Sequence, residues 1–444
     1  MRQLLQKSRT KEEYKESPLP NNSFFSSNVK KERQKFLKML NLGLLIAGLA
    51  VLCVLSLYWG SLYELGQHIH NLEGIVVDFD QQSIGVAVKQ AFREFTGLPH
   101  QLTWTIASSR EFKNVEQVIQ AVLNEEYWIA VVVGPGSTNT LQEAIRTRNP
   151  GYNSTSTITI YGSEARSENA YSEFIIPRAK AIRSAQRTFT SRHVASLSSL
   201  GGLSDLLNGA PETVYRPIDF QISNLRPFDV PVATAANFVG LIYLLVIAFI
   251  LAVLSFGAQR ESGMYRKISL MSFIKLRLVL AIAIYFIFSL LYSFISLFFQ
   301  VPFGRFYGGK GFIIYWMSSF LGMCALGLAL EAMLTILTPR FTPFFLILWM
   351  IVNVSIATVP IEILPAFYRY GYATPFYNIS RTVRAVIFNT KNEIIYNFLV
   401  LLAWCLISIF TITCFQIYQN RKELGPGVFE RLFKKKTSRS SHSN

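Results

Sequence analysis

The segment FIIYWMSSFLGMCALGLALEAMLTIL (Phe312–Leu337) runs for 26 residues with a single charged side chain, Glu331. About 20 mostly apolar residues make a helix long enough to cross the roughly 30 Å hydrocarbon core of a bilayer, so this stretch reads as a membrane span. Just before it stands GRFYGGKG (Gly304–Gly311), one residue short of the phosphate-loop pattern G-x-x-x-x-G-K-[ST]. Gly304, Gly309 and Lys310 fall in place, and Gly311 stands where Ser or Thr would hold Mg²⁺. A phosphate loop joins a buried strand to a helix in a nucleotide domain. Here the glycines join two apolar helices and read as a surface turn. An ATPase is not expected.

Outward from this segment the same texture recurs. Hydrophobic residues make up 51% of the 444-residue chain and charged ones 16%, against about 25% charged in an ordinary soluble domain. Six apolar runs read as transmembrane helices: Met39–Tyr58, Val232–Phe256, Leu278–Phe299, Phe312–Leu337, Phe344–Leu364 and Ile395–Tyr418. The first is too long and begins too late for a cleaved signal peptide. Cys53, Cys324, Cys405 and Cys414 all fall inside these runs, so the polar regions carry no disulfide framework and the thiols read as small apolar fillers.

The net charge of +16 is concentrated beside spans, which argues against a nucleic-acid partner. Residues 1–38 hold ten Lys/Arg and four Glu, Gly257–Arg277 five basic residues and one acid, and the chain after Tyr418 seven Lys/Arg and two Glu. By the positive-inside rule these three regions are cytosolic, and they favour contact with anionic membrane lipids. Pro365–Ile394, with four basic residues, falls on the other side as an exception. The predicted domains are a cytosolic, partly disordered segment 1–38, a first helix 39–58, an extracytoplasmic domain 59–231, a five-helix region 232–418 and a cytosolic basic tail 419–444. The fold class is thus a polytopic α-helical membrane protein with one plus five spans and a mixed α/β domain between helices one and two.

That domain alternates strand and helix signals. GIVVDFD, LTWTIAS, YWIAVVVGPG and STITIYG read as strands, with helical patterns in SIGVAVKQAFREFTG and FKNVEQVIQAVLNEE, which suggests a small, largely parallel sheet. Asn153-Ser154-Thr155 is a glycosylation sequon in an exposed loop. Asn378-Ile379-Ser380 is another close to the bilayer, and Asn21-Asn22-Ser23 is cytosolic and mute.

Other motifs dissolve into ordinary structure. DFDQQ (Asp78–Gln82) lacks the Thr or Val of a phosphatase nucleophile motif, and its acids read as the end of a strand. His68 and His70, on one side of an expected extended strand, lack further metal ligands. No nucleophile–base pair or His cluster lies within the spans, so neither enzyme chemistry nor a metal or other cofactor is expected. Glu331 and Glu362 are the candidate transport or gating residues, since ionisable groups inside spans are costly and default to function. Burial disfavours the charged form of Glu331 unless a cation lies near. Ser318, Gly322, Ala325 and Ala329 allow close helix packing in the same span. FYNISRTVRAVIF (Phe376–Phe388) reads as an amphipathic helix lying on the outer membrane surface, with Ile379, Val383, Val386 and Ile387 on one face and Arg381 and Arg384 on the other.

In FGAQRESGMYRK, Arg260, Glu261 and Gly263 resemble the R-E-x-G cytosolic loop of ABC-2 type permeases. The order of spans is similar to theirs. SLYWGSLY, VVDFD, YWIAVVVGPGSTNTLQEAI, YGSEARSENAYSEFIIP and ATPFYN, together covering most of the chain, resemble the fungal nitrosoguanidine-resistance protein family, distant kin of phage-infection-type membrane proteins. The resemblance implies efflux of or resistance to lipophilic small molecules, or control of lipid distribution between leaflets. It implies a homodimer and a separate ATPase or regulator docking near Arg260, Glu261 and Gly263. A non-transporting scaffold whose outer domain binds a partner is the alternative. The ending SSHSN, without a retrieval signal, favours the plasma membrane over the endoplasmic reticulum.

Overall fold

The β-branched runs of the polar region form strands, and a parallel sheet covered on both faces asks for nearly unbroken apolar strands. In the computed structural model, which describes residues 23–98, 100–107, 111–200 and 203–424, β1 (Glu73–Asp78), β2 (Thr103–Ala107), β3 (Ile129–Val133), β4 (Ile158–Gly162) and β5 (Phe220–Asn224) make one sheet in the order β2-β1-β3-β4-β5. β1 is parallel to both neighbours, β4 runs antiparallel to β3, and β5 parallels β4. β3 is buried at every position, whereas β4 alternates. The expectations for residues 1–22, for the sequon at Asn21 and for the tail beyond Leu424 lie outside the described residues.

Helices cover both faces. Val76, Val131 and Ile160 pack toward α2 (Ser83–Phe95), α4 (Ser137–Thr147) and α5 (Ile182–Leu200). Ile75, Val77, Ala130 and Val132 face Val118 and Val122 of α3 (Val115–Leu123). The acids of DFDQQ are structural. Asp78 accepts the backbone N–H groups of Asp80 and Gln81 and pairs with Lys89 at 2.7 Å. Asp80 accepts the Thr138 N–H at 2.9 Å and its hydroxyl at 2.5 Å, placing a carboxylate at the N-terminus of α4, where the helix dipole favours it. The fifth strand was not expected from sequence. His68 and His70, expected on an extended strand, lie instead in a 3₁₀ helix, Leu65–Asn71, in which His70 Nδ1 engages the Gln67 carbonyl.

Five described helices are long and apolar enough to cross a membrane: Ser27–Leu62, Ala235–Glu261, Leu270–Phe298, Lys310–Leu337 and Ile394–Lys422. The chain is a multi-pass α-helical membrane protein. It divides into two contact units, Met1–Ser56 and Leu57–Asn444. The first holds most of the N-terminal helix, α1 (Lys30–Ala50), none of whose residues is buried. The second contains the sheet together with α6 (Gly240–Glu261), α7 (Leu270–Phe298), α8 (Lys310–Val354), α9 (Pro375–Phe388) and α10 (Ile394–Leu424).

α8 corrects two boundaries. It is helical for 45 residues, about 67 Å if straight. Yet the Leu321 carbonyl lies 3.9 Å from Cys405 Sγ, and the Trp349 ring lies 5.0 Å from that of Trp404. Straight helix would hold Leu321 and Trp349 about 42 Å apart, so α8 doubles back. Pro339 and Pro343 lie between the two contacts, where each removes a ladder donor. The second limb is a 16-residue apolar helix, Pro339–Val354, rather than Phe344–Leu364. Helix ends before Pro360, and Ile361–Ile363 is a 3₁₀ turn. The glycine-rich turn before α8 has its own reason. A Cβ on Gly311 would strike the Phe303 carbonyl oxygen, so the Ser or Thr of a phosphate loop does not fit.

Candidate functional site

Two charge networks, one buried and one partly exposed, hold the two candidate carboxylates. The first lies inside the helix bundle. Along α7 the buried residues Phe273, Arg277, Ala281, Tyr285, Ser289 and Ser293 recur at four-residue steps, which puts them on one face. Ser269 caps the helix by accepting the Ser272 N–H, and Arg277 sits about 12 Å further along. Glu331 faces it from α8, with side chains 2% and 1% exposed.

The guanidinium is saturated. Nε donates to Glu331 Oε2 at 2.9 Å, and Nη2 to the same oxygen and to the Glu331 carbonyl, both at 2.6 Å. Nη1 donates to Thr335 Oγ1 at 2.7 Å and to Gln416 Oε1 of α10 at 3.1 Å. These five bonds use all five N–H donors of an arginine. Phe256, from α6, lies with its ring centroid 5.7 Å from the Arg277 guanidinium and 4.9 Å from that of Arg260. Four helices therefore meet at one ion pair. Moving such ions out of water costs several kcal/mol each, which charge-assisted hydrogen bonds of this geometry offset.

The second network lies where the sheet domain meets the bundle. Arg381 on α9 pairs with Glu125, which precedes β3, at 2.8 Å and with Glu393, which precedes α10, at 2.9 Å. Arg384 pairs with Glu168 at 2.6 Å and donates to the Ala165 carbonyl. Arg166, which follows β4, stacks over Trp128 at 3.4 Å and lies 3.7 Å from both Glu125 and Glu362. Asn71 donates to the Glu362 carbonyl, Asn169 to that of Thr358, and Arg226 to that of Asn389. A cavity of about 80 Å³ remains among these groups. Burial pushes the Glu393 carboxyl up, but Arg381 and Lys391 outweigh it and hold it below the usual carboxylate range. Glu168 follows the same balance, with Arg384 overcoming burial.

The structure therefore keeps Glu331 and Glu362 apart. α6 starts beside α9, and Phe256 lies about 24 Å along it from Gly240. Helix α9 corrects the sequence reading. It does not lie on a surface: Ile379, Val383, Val386 and Ile387 are buried in the bundle core while Arg381 and Arg384 reach the sheet domain. Arg277, counted from sequence among the basic loop residues, belongs inside the bundle. The four-residue stripe of α7, followed backward from Ser293, would have found it.

Arg260 and Glu261 are exposed at the end of α6. Gly263 has φ +62 and starts the turn Met264–Lys267, a left-handed conformation that favours glycine. Asn153 is exposed, and its side-chain oxygen accepts from Thr155 N–H and hydroxyl. Among the described residues, no group of three or more His, Cys, Asp or Glu is placed to hold a metal.

The family model described as protein of unknown function (DUF3533) matches residues 43–410, from the first apolar helix into α10. The chain belongs to this family. It is also 26% identical to a Saccharomyces cerevisiae protein described as an uncharacterized endoplasmic reticulum membrane protein, over 93% of this chain and 86% of that protein. A fungal membrane-protein family thus agrees with the resemblance seen in the sequence, while the ABC-2 part of that resemblance belongs to the proposals below. No solved structure matches the chain.

Proposed function

We propose that this chain is a permease-like membrane protein that moves amphipathic small molecules or lipids between leaflets or out of the cell, with the Arg277–Glu331 pair as its intramembrane latch. The carrying observation is the saturation of Arg277 by groups on α8 and α10, at a point where Phe256 of α6 also closes in. Apolar side chains would join these helices without the desolvation cost, and a buried ion pair is often no more stabilising than its hydrophobic replacement. A latch that must open gives the pair a reason to be ionic.

In this reading the chain crosses the bilayer six times, the two limbs of α8 forming a hairpin. The sheet domain is extracytoplasmic, with Asn153 as its glycosylation site. Arg260, Glu261 and Gly263 face a separate ATPase or regulator across the cytosol, and ABC-2 kinship supplies a homodimer. The chain uses no cofactor, catalyses no bond-making chemistry and has no nucleic-acid partner. The yeast relative, described as an endoplasmic reticulum membrane protein, supports that organelle, rather than the plasma membrane, as the place of this chain.

The second reading is a non-transporting regulator whose outer domain binds a partner. It is favoured by the saturation itself, which leaves Arg277 no free donor for cargo. Flux of a fluorescent phospholipid in proteoliposomes separates the two. Flux above that of protein-free vesicles, lost in a variant that still folds, is expected for the permease. Its absence in well-folded wild type would leave the regulator.

A further inference from the structure

The faces on which α7 and α8 meet are polar for most of their length. The α7 stripe carries Arg277, Ala281, Tyr285, Ser289 and Ser293 at four-residue steps, all buried. α8 answers with Tyr315, Ser319, Met323, Gly327, Glu331 and Thr335, at the same steps and also buried. Three contacts fix an antiparallel register. Arg277 donates to Glu331 and Thr335, a Cβ on Gly327 would strike the Tyr285 ring and hydroxyl, and the Ser296 and Tyr315 hydroxyls lie 2.9 Å apart. That register sets Ser293 level with Ser319, and Ser289 level with Met323, the apolar member of its row. Tyr315 also reaches Tyr292 and Ser319.

From Arg277 to Ser296 α7 rises about 28 Å, close to the roughly 30 Å of a bilayer's hydrocarbon core. Arg305, in the α7–α8 connection, pairs with Asp229 of the segment joining β5 to α6, so Ser296 marks the end that carries the sheet domain. Two hydroxyls along the seam, Tyr285 Oη (residue 1% exposed) and Ser318 Oγ (0%), make no hydrogen bond among the described residues. Buried hydroxyls of this kind are ordinarily satisfied by ordered water. Ser289 and Ser293 donate to the Phe286 and Ser289 carbonyls, and their oxygens can still accept. Successive members of each row stand about 6 Å apart along the axis, a gap that one water spans with two hydrogen bonds. A lipid headgroup would have to part these helices. A proton moves along such a chain by exchange of hydrogen bonds alone.

We propose that the α7–α8 seam is a proton path from the sheet-domain end of the bundle to Glu331. Each hydroxyl or water accepts a proton on its oxygen and passes on its own, and the last transfer turns the Glu331 carboxylate into the neutral acid. Arg277 keeps its charge and loses its counter-ion, so arrival of the proton opens the latch. Glu331 stands about 9 Å before the end of its span at Leu337, and the open latch releases the proton on that side. The groups around Glu331 are Arg277 and Tyr285 from α7, Thr335 on its own helix and Gln416 from α10. α6 adds Phe256, with Arg260 also against that ring. Glu331 is the one carboxylate among them. The path deepens the permease reading, rests on its latch, and makes the proton the driving ion.

The test uses the full chain in liposomes that enclose a pH-sensitive dye, with a potassium gradient and valinomycin setting the potential. Wild type is expected to take up protons faster than protein-free vesicles. Tyr285→Phe removes only an unpartnered hydroxyl. Its uptake should fall about tenfold or more, the rate equivalent of one hydrogen bond, with no loss of melting temperature. Ser293→Ala, whose hydroxyl bonds back to its own helix, serves if Tyr285→Phe does not fold, and the same loss is expected of it. Tyr243→Phe, exposed on α6, should change nothing. Wild-type uptake no faster than that of protein-free vesicles overturns the path, as does undiminished uptake in the folded seam variant or an equal loss in Tyr243→Phe. A fluorescent phospholipid in the same vesicles separates the two readings. Lipid flux without proton uptake defeats the path and leaves the permease standing; proton uptake without lipid flux does the reverse.

Discussion

The chain contains two charge networks built on different principles. Inside the bundle, one arginine meets one carboxylate, and both are withdrawn from solvent (2% and 1% exposed). At the junction with the sheet, Arg166, Arg381 and Arg384 meet Glu125, Glu168, Glu362 and Glu393, with exposures from 9% to 36%. The first is a single pair with no spare partner, so removing one member strands the other in a low-dielectric core. The second is shared and partly wet, so loss of one member is taken up by its neighbours and by water. The bundle pair is therefore all-or-none, and the junction is graded.

The comparison orders the expected effects. Glu331→Leu leaves Arg277 buried and uncompensated, a loss of about 3–5 kcal/mol, seen as collapse of protein abundance and of the melting temperature. Arg277→Leu alone should fall by a similar amount. The double variant Arg277→Leu/Glu331→Leu should regain most of the loss, because no unpaired ion remains. A double variant as unstable as the sum of its parts would mean that the pair is not the unit.

At the junction, Glu125→Ala removes one of two acids from Arg381 and should cost less, about 1–3 kcal/mol. Limited proteolysis of the sheet domain, compared with the melting of the whole chain, checks whether the loosening stays local.

Acid should act on the junction in the same graded way. The Glu393 and Glu168 carboxyls are held below their unfolded values. Their stabilisation is fully present above about pH 4–5 and is lost as pH falls through the lowered folded values. Proteolysis of the sheet domain should stay flat from neutral pH down to about 5 and rise below it. A rise between pH 6 and 7 would point to a histidine instead.

The smallest effect is expected at the exposed pair Arg305–Asp229, 2.8 Å apart with both side chains about two-fifths exposed. Such pairs contribute about 0–1 kcal/mol, so Asp229→Ala should leave abundance near wild type. A loss equal to that of Glu125→Ala would erase the distinction between wet and dry pairs.

Much of the scaffold is legible in the sequence because apolar runs and β-branched clusters are local signals. The strands Glu73–Asp78 and Ile129–Val133 and three of the six apolar runs emerge close to their observed limits. Phe220–Asn224 escapes because it lies partly exposed at a sheet edge and lacks an apolar run. The charge networks escape for another reason: Glu331 is conspicuous among leucines, but its partner lies 54 residues earlier in a segment rich in Lys and Arg. Composition there reads as cytosolic loop, and only the periodicity of α7 distinguishes Arg277 from Lys275. Arg381 and Arg384 were assigned to the correct helix face, yet the face meets the sheet domain rather than headgroups. A single helix's pattern says that its polar side is not buried in apolar core, and leaves open what protein or solvent it meets.

The latch is tested most directly by Arg277→Leu/Glu331→Leu, reconstituted beside wild type and assayed for flux of a fluorescent phospholipid at matched protein density. The expected result is a folded protein, near wild-type melting temperature, whose flux is lost or no longer gated. A folded double variant that moves lipid at the wild-type rate would contradict the latch and leave the pair as a packing device alone.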